Sequence, residues 1–563
     1  MADPTSVAEI DLAPLPGKIY FNCMREWREE FIYFVMVDRF HDDKARTPVT
    51  RADRSPGFPT PNDFYGGKIR GITRNLDYIA ALGCTAIWLS PVFENNAGAY
   101  HGYNINNYLG VDPNFGTKQD LIDLVEAAHA RTPPIRIILD VVINHSGDNW
   151  SYPGGFAYNY SDDQQFPFGF WRRPDRPLPS ELRNEDYYHR RGNMSNYDTY
   201  PENQHGDMDG LKDYDNDDDA DGSALLNVLI KAHCYWIREA DVDGFRVDAV
   251  KHMGELACSR FSSGVREYAY SLGKRRFFLF GELANPQDDV YDRYLGPNTS
   301  KQNGGDTVFF GIDSLLDFRL AAGVYNQIPQ FRQIIRGVVG PQPLFDRLEA
   351  QRNRALNRGE IGRYLVTFVD NHDGFWQDGR FAFKATDGQV IAAIGYLLCA
   401  LGTACIYYGT EQGLAGHGGD NDIREALFDR APAGKNLLNA SCVIYTEIAK
   451  IAALALSKEP LRFGRMYFRQ ISGNGTDFGL PYGTTYTLAF SRMLYGSETL
   501  VAYNVSSEGR NDCVVVDADL HKPGEKMTFL YPAGKGEVTV ESVPNGTMFV
   551  RLDLDGHEFA ILE

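Results

Sequence analysis

A chain of 563 residues, 43% hydrophobic and 23% charged, buries large cores and divides into two or three domains, which excludes a disordered or fibrous protein. Acidic residues outnumber basic ones by 75 to 56, and the formal charge of −19 repels nucleic-acid phosphates and anionic lipid surfaces, leaving neutral or cationic partners. No apolar run reaches the roughly 20 residues that span a bilayer; the longest, 390–408, is interrupted by Gly395, Gly402 and Thr403, so a soluble protein with no membrane partner is expected.

The opening residues, MADPTSVAEIDLAPLPGKIY, lack the basic start and apolar core of a secretory leader, which favours a cytoplasmic location. Secretion stays open, because a leader already removed leaves no trace. Eight cysteines are scattered without a CxxC pair or metal-ligand spacing, and are expected to be core thiols.

From Glu30 onward, short β-rich runs alternate with amphipathic stretches. Strands are predicted at FIYFVMV (31–37), CTAIWLS (84–90), IRIILDVV (135–142), DGFRVDAV (243–250), FFLFGEL (277–283) and YLVTFVD (364–370). Between them LIDLVEAAHA (121–130) and ALLNVLIKAHCYWIREA (224–240) read as helices. That alternation implies βαβ units and suits an α/β fold built on a (β/α)8 TIM barrel over 1–145 and 210–458. The stretch 146–209 breaks the rhythm with Gly, Pro, Asn, Asp and aromatics, among them Trp150, Tyr152, Phe168, Phe170, Trp171, Tyr187 and Tyr188. It reads as a loop-rich inserted domain after the third strand, with aromatic rings able to stack on an acceptor. Beyond 458, short strands such as TYTLAFSR, TLVAYNVS and CVVVDADL, separated by Gly- and Asn-rich turns, predict a C-terminal antiparallel β-sandwich over 459–563.

Acidic and polar residues collect at the ends of the predicted strands, the face of a parallel barrel that holds active sites. Asp140, Asn144 and His145 close one strand, Arg246 and Asp248 another; Glu282 ends a third, and His372 and Asp373 follow a fourth. Taken singly each could be a helix cap or a solvated charge; their joint position argues for a site. Arg246 and Asp248 alternate on one strand, so both project the same way and the guanidinium can hold the carboxylate ionised, as a nucleophile requires. Retaining glycoside hydrolysis needs a second carboxyl group with a raised pKa, and Glu282, after the apolar run FFLFG, is the candidate. A purely structural Arg246–Asp248 ion pair is the competing reading.

The strings DVVINH (140–145), GFRVDAVKH (244–252), GEL (281–283) and FVDNHD (368–373) resemble, in order and spacing, the four signature regions of the α-amylase family of glycoside hydrolases, the clan that includes cyclodextrin glucanotransferases. The resemblance implies Asp248 as nucleophile, Glu282 as general acid/base and Asp373 as the third carboxylate, gripping sugar hydroxyls. It also implies Arg246, His145 and His372 around the same sugar. FYGGKIRGI (64–72) and YHGY (100–103) are similar to further family segments, the second implying that Tyr100 stacks on the sugar being cleaved. IYYGTEQGLAGHGGDNDIRE (406–425) implies that Asp420 and Arg424 hold the next sugar toward the non-reducing end, and Lys251 with His252 resembles the leaving-side glucose pair.

The same resemblance implies a Ca2+ ion joining the insertion to the barrel through Asn144, Asp213 and the backbone carbonyl of His252, although GDMDGLKDYDN (206–216) is one residue longer than the usual segment. A second candidate is DNDDDADG (215–222), where Asp217, Asp219 and Asp221 alternate before Gly222 as in the first half of an oxygen-rich calcium loop. Its closing Glu is absent, Val228 standing at position twelve, and an acidic helix start is the alternative.

Three functions are therefore weighed: a retaining hydrolase of α-1,4-glucans or maltooligosaccharides, a transglycosylase or oligosaccharide-specific α-glucosidase of the same chemistry, and a non-catalytic sugar-binding barrel. Retention of all three carboxylates argues against the last. Oligomeric state is left open.

Overall fold

The computed structural model describes the chain except residues 1–2, 51–55, 162–163, 218, 285–287, 297–310, 322–330, 354–360, 375–378 and 433. Eight short parallel strands, β1 (Phe31–Val35), β2 (Ala86–Leu89), β3 (Arg136–Val141), β4 (Gly244–Val247), β5 (Phe278–Gly281), β6 (Ser314–Leu316), β7 (Leu365–Thr367) and β8 (Thr403–Tyr407), close into a barrel in sequence order. Every residue of these strands is buried, because side chains fill the barrel on one face and pack under helices on the other.

Local chemistry sets the helices between them. Helix α1 (Lys118–His129) starts at a Thr117–Asp120 capping box; α2 (Ala220–Ala240) starts at Asp219, whose side chain accepts from the Gly222 amide, and stops where Asp241 turns left-handed at φ 59°. Helix α3 (Glu255–Ser271) follows β4, and α4 (Asp387–Cys399) opens on a Thr386–Gln389 capping box.

Two strands, β6 and β8, lie outside the sequence expectation. The apolar run 390–408, interrupted in sequence at Gly395, Gly402 and Thr403, divides into α4 and β8. Gly402 makes the break: it sits at φ +106°, and a Cβ there would lie 2.7 Å from the Leu365 carbonyl of β7.

The inserted stretch holds little regular structure. Trp150–Ser151 pairs with Phe170–Trp171, and Lys212–Asp213 returns antiparallel onto His145–Ser146. Its aromatics pack mainly on one another: Trp150, wholly buried, lies 4.6 Å from Tyr152, 5.1 Å from Phe168 and 5.6 Å from Tyr188 between ring centroids, with the Lys212 ammonium 5.2 Å above it. Most of the rings expected as stacking platforms are therefore this segment's own core, which a loop of that length needs in the absence of a sheet. Phe170 remains exposed.

Nine antiparallel strands between Arg465–Phe468 and Phe559–Leu562 form one C-terminal sheet around its own core of Leu500, Val514, Val540, Val550 and Leu562. Among the described residues no helix is long and apolar enough to cross a membrane, and all eight cysteines are free.

Arg492, 1% exposed, joins sheet to barrel. Its Nη1 donates to the carbonyls of Cys399 (2.6 Å) and Ala400 at the end of α4, and its Nε and Nη2 donate to the Gly464 carbonyl at 3.2 and 2.9 Å. The cation thus satisfies helix-terminal carbonyls that nothing else in the strand could reach. Replacing it as Arg492→Met keeps the apolar stem and orphans these acceptors, so unfolding should become easier by about 2–4 kcal/mol. Denaturant unfolding should show the loss while KM stays unchanged.

Candidate active site

Strand register builds the centre of the site. Val247 is paired with Val141 on one side and Gly281 on the other, so the next residues of β4 and β5, Asp248 and Glu282, leave the sheet side by side. Their amides still hold the ladder, Asp248 donating to the Val141 carbonyl and Glu282 to that of Val247, both at 2.9 Å. Arg246, two residues before Asp248, projects the same way into the barrel mouth.

The Arg246 guanidinium is 1% exposed and organises everything around it. Its Nη1 donates to Asp140 Oδ1 at 2.8 Å and Asp248 Oδ1 at 2.6 Å, and its Nη2 donates to Glu282 Oε2 at 2.7 Å. Asp140 at the end of β3 is fixed in turn by Trp88 Nε1 (3.0 Å) and the Tyr103 hydroxyl (2.8 Å). Ala249, directly after Asp248, adopts the left-handed conformation at φ 52°, a strain of roughly 1–2 kcal/mol for a residue with a Cβ. That turn aims the Ala249 amide at Glu282 Oε2, 3.2 Å away.

Asp248 and Glu282 thus lie side by side on one guanidinium, close enough for the charge of each to bear on the other. Burial pushes Asp248 well above the usual carboxylate range, with Arg246 opposing and the charges of Glu282 and Asp140 adding to the rise. Glu282, though equally buried, is held low by Arg246, by Asp248 and by the Ala249 amide. Asp140 is pushed up to about 6 by burial, against the pull of Arg246.

A second group of side chains closes the pocket. Asp373 is pushed up to about 7 by burial, reinforced by the Glu282 charge and opposed by Arg424. Arg424 donates through Nε to the His372 carbonyl (2.8 Å) and through Nη2 to Asp420 Oδ2 (3.2 Å), with Asp373 Oδ1 at 3.4 Å. His145 and His372 are buried and neutral: burial drives His145 down to about 4 and His372 well below its ordinary value. Neither ring nitrogen of His145, nor Nδ1 of His372, has a hydrogen-bond partner, so both imidazoles hold unspent hydrogen-bonding capacity.

Tyr100, the tyrosine expected to stack on substrate, is buried, and Tyr103 of the same motif lies beside the carboxylates. Tyr100 is 1% exposed, covered by the Arg39 guanidinium 3.8 Å from its ring, with its hydroxyl directed to Asn421 (3.2 Å) and Arg424 (3.4 Å). Tyr103 instead stacks on His372 (5.3 Å, 11°) and lies 5.7 Å from the Arg246 guanidinium. YHGY carries two tyrosines on one tight turn, and only its folding decides which ring faces the carboxylates. Tyr103, Trp88 and Asn421 are thus site or supporting residues that sequence reasoning missed; the visible signals were YHGY itself and DNDIRE.

Lys251 and His252 face the inserted segment, the Lys251 ammonium pairing with Asp198 and His252 Nδ1 meeting the Asn203 carbonyl at 2.7 Å. Of the residues proposed for calcium, Asn144 and Asp213 come together, Asn144 Nδ2 donating to Asp213 Oδ1 at 3.3 Å. Asn144 Oδ1 is buried without a partner, so an oxygen-seeking cation fits this pair. The alternating loop is not formed as a single site: Asp219 caps α2 and Asp221 lies in its first turn, where carboxylates favour the helix dipole, while Asp217 turns toward His189 and His205.

A closed eight-stranded barrel with an arginine-centred set of carboxylates at the C-terminal ends of its strands defines a barrel glycosidase architecture. The chain matches the family description "Alpha amylase, catalytic domain" over residues 34–440, and it belongs to the α-amylase family. It is similar to an α-amylase of Streptomyces lividans, 28% identical over 90% of this chain and 60% of that protein. It is likewise similar to a cyclomaltodextrin glucanotransferase of Klebsiella oxytoca, 27% identical over 71% of this chain and 60% of that one. The chain thus spans less than two thirds of these relatives. Among solved structures, the α-amylase of Geobacillus thermoleovorans complexed with acarbose superposes with a TM-score of 0.70 at 25% identity, over 96% of this chain and 98% of that one.

Arg246→Lys tests the organising role. One ammonium cannot grip three carboxylates in the plane of a guanidinium, and misplacing reacting groups by about 1 Å costs on the order of 10²-fold in rate. Steady-state turnover should fall at least that far with the circular dichroism spectrum unchanged.

Proposed function

We propose that the protein is a retaining glycoside hydrolase of α-1,4-glucans or maltooligosaccharides, acting by double displacement with Asp248 as nucleophile and Glu282 as general acid/base. The observation that carries this reading is the grip of one guanidinium on both carboxyl groups, Nη1 donating to Asp248 at 2.6 Å and Nη2 to Glu282 at 2.7 Å. Two carboxyls held on one guanidinium stay close together, in keeping with the short separation of roughly 5–5.5 Å in retaining enzymes rather than the wider gap of inverting ones.

Asp248 attacks the anomeric carbon as the glycosidic bond breaks, and Glu282 protonates the departing oxygen. Water, deprotonated by Glu282, then cleaves the glycosyl ester and releases the α-anomer. The first step requires a proton on Glu282 and an ionised Asp248. Substrate favours that placement: the glycosidic oxygen gives the Glu282 proton an acceptor, and positive charge growing at the anomeric carbon favours ionised Asp248. Asp373, His145 and His372 hold hydroxyls of the same sugar, and Tyr103, rather than Tyr100, supplies the ring beneath it. Asp420 and Arg424 hold the next sugar, and Lys251 and His252 lie on the leaving side. Asn144, Asp213 and the His252 carbonyl would hold Ca2+, which ties the insertion to the barrel.

Transglycosylation is the second reading, favoured by the similarity to a glucanotransferase; a sugar hydroxyl then replaces water in the second step. Product analysis on starch, maltooligosaccharides, sucrose, isomaltose and cyclodextrins tests both. Linear maltooligosaccharides support hydrolysis, cyclic or lengthened products support transfer, and sucrose or isomaltose as best substrate contradicts the α-1,4 assignment.

Glu282→Gln should lose most activity on starch while retaining more on substrates whose leaving groups need no proton; equal loss on both removes Glu282 as the acid. Proton NMR of the first product should show the α-anomer, and an initial β-product overturns double displacement. Because bound remote sugars orient the scissile bond, maltotriose should far exceed maltose in kcat/KM, and Arg424→Ala should narrow that gap.

A further inference from the structure

Behind Asp213 lies a cluster that the catalytic reading does not use. His189 of the inserted segment, His205 at the end of the short helix Glu202–His205, and Asp217 just before α2 present ligand atoms that all lie within 4.8 Å of one another. His189 Nε2 is buried and, among the described residues, has no hydrogen-bond partner. Its neighbours stand at 3.4 Å (Asp215 Oδ1) and 3.7 Å (Asp217 Oδ2), and His205 Nε2 stands 3.6 Å from Asp217 Oδ1. These spacings are long for N–H···O hydrogen bonds. They are close to the edge of a tetrahedron: ligands about 2.0–2.1 Å from a zinc ion lie about 3.3–3.4 Å from each other.

The outer contacts agree. Metal-bound histidines usually donate their second ring N–H to a carboxylate, which fixes the tautomer. His189 Nδ1 is 2.6 Å from Asp213 Oδ2, so Nε2 is the ring nitrogen that faces the cluster. The two imidazoles face each other at 4.4 Å, tilted by 33°, with the Tyr200 ring edge-on to His205 at 5.3 Å.

We propose that His189 Nε2, His205 Nε2 and the Asp217 carboxylate form a binding site for a first-row divalent transition metal of the zinc class, with Asp215 or water as fourth ligand. Two imidazoles and a carboxylate suit zinc and its neighbours, whereas calcium takes oxygen ligands. The site differs from the oxygen pair at Asn144 and Asp213 but shares Asp213 with it, Oδ1 facing Asn144 and Oδ2 facing His189. A bound ion cross-links the insertion, through His189 and His205, to the approach to α2. Because Asn144 directly precedes His145, metal occupancy is coupled to the pocket floor through one carboxylate.

The test uses the full chain, stripped with chelator and returned to excess Ca2+, then titrated with Zn2+ and with Co2+. One equivalent of Zn2+ should bind with micromolar or tighter affinity despite the calcium, raising Tm by mass action. Co2+ should give the intense visible bands of a tetrahedral site, a readout that needs no variant. His205→Gln should weaken Zn2+ binding at least about ten-fold and leave the calcium response unaltered. No Zn2+ binding in excess calcium, weak octahedral Co2+ bands, or wild-type affinity in His205→Gln would each overturn the site and leave an imidazolium held by carboxylates.

Discussion

One buried cation holds this active site together. Arg246 sits inside the barrel mouth with no water to screen it, and three carboxylates from three adjacent strands converge on its guanidinium. Any one of those acids alone at that depth would protonate, since removing a carboxylate from water costs several kcal/mol. With Arg246 present, its charge opposes that protonation at Asp140, Asp248 and Glu282 alike. A planar five-donor fork is needed for this; a point charge cannot reach three acceptors from one place.

The barrel supplies that geometry through register. Parallel strands in step deliver residues that follow paired positions to adjacent points on the rim, so Asp248 beside Glu282 is a consequence of Val247 lying opposite Gly281. The rigid ladder reaches as far as the amides of both catalytic candidates. Only at Ala249 does the backbone depart into a strained conformation, and the strain is spent aiming an amide at Glu282. Rigidity below and a bent turn above fix the carboxyls of the site.

The inserted segment depends on a different chemistry. It has almost no sheet, and it stays folded by stacking its own aromatics and by polar ties to the barrel at His145–Ser146, Lys251 and His252. Asp213 lies at the junction of these ties, with one oxygen toward the barrel and the other toward His189. A cation held at such a junction would neutralise acids that otherwise repel each other across the seam.

Much of the fold and the catalytic core was legible in the sequence because both are carried by short contiguous strings. Six barrel strands are runs of apolar and β-branched residues, and the acids sit at the ends of those runs, so periodicity and position locate them without knowledge of packing. Strands β6 and β8 escaped that reading, the first being a Ser-Leu-Leu run closed in by Asp313 and Asp317 and the second following a helix as apolar as itself; what separates α4 from β8 is the close approach of Gly402 to Leu365 in space. The same limit explains the errors at the site. Tyr100 and Tyr103 share one motif, and burial under Arg39 withdraws the first; Asp217, Asp219 and Asp221 share one acidic run, and helix capping claims the second while two histidines far back in the chain claim the first. Sequence determined which chemistry is present and on which strand ends, because those follow from local pattern. Tertiary structure alone decided which ring, which acid and which imidazole face one another, because those pairings join residues that no local rule connects.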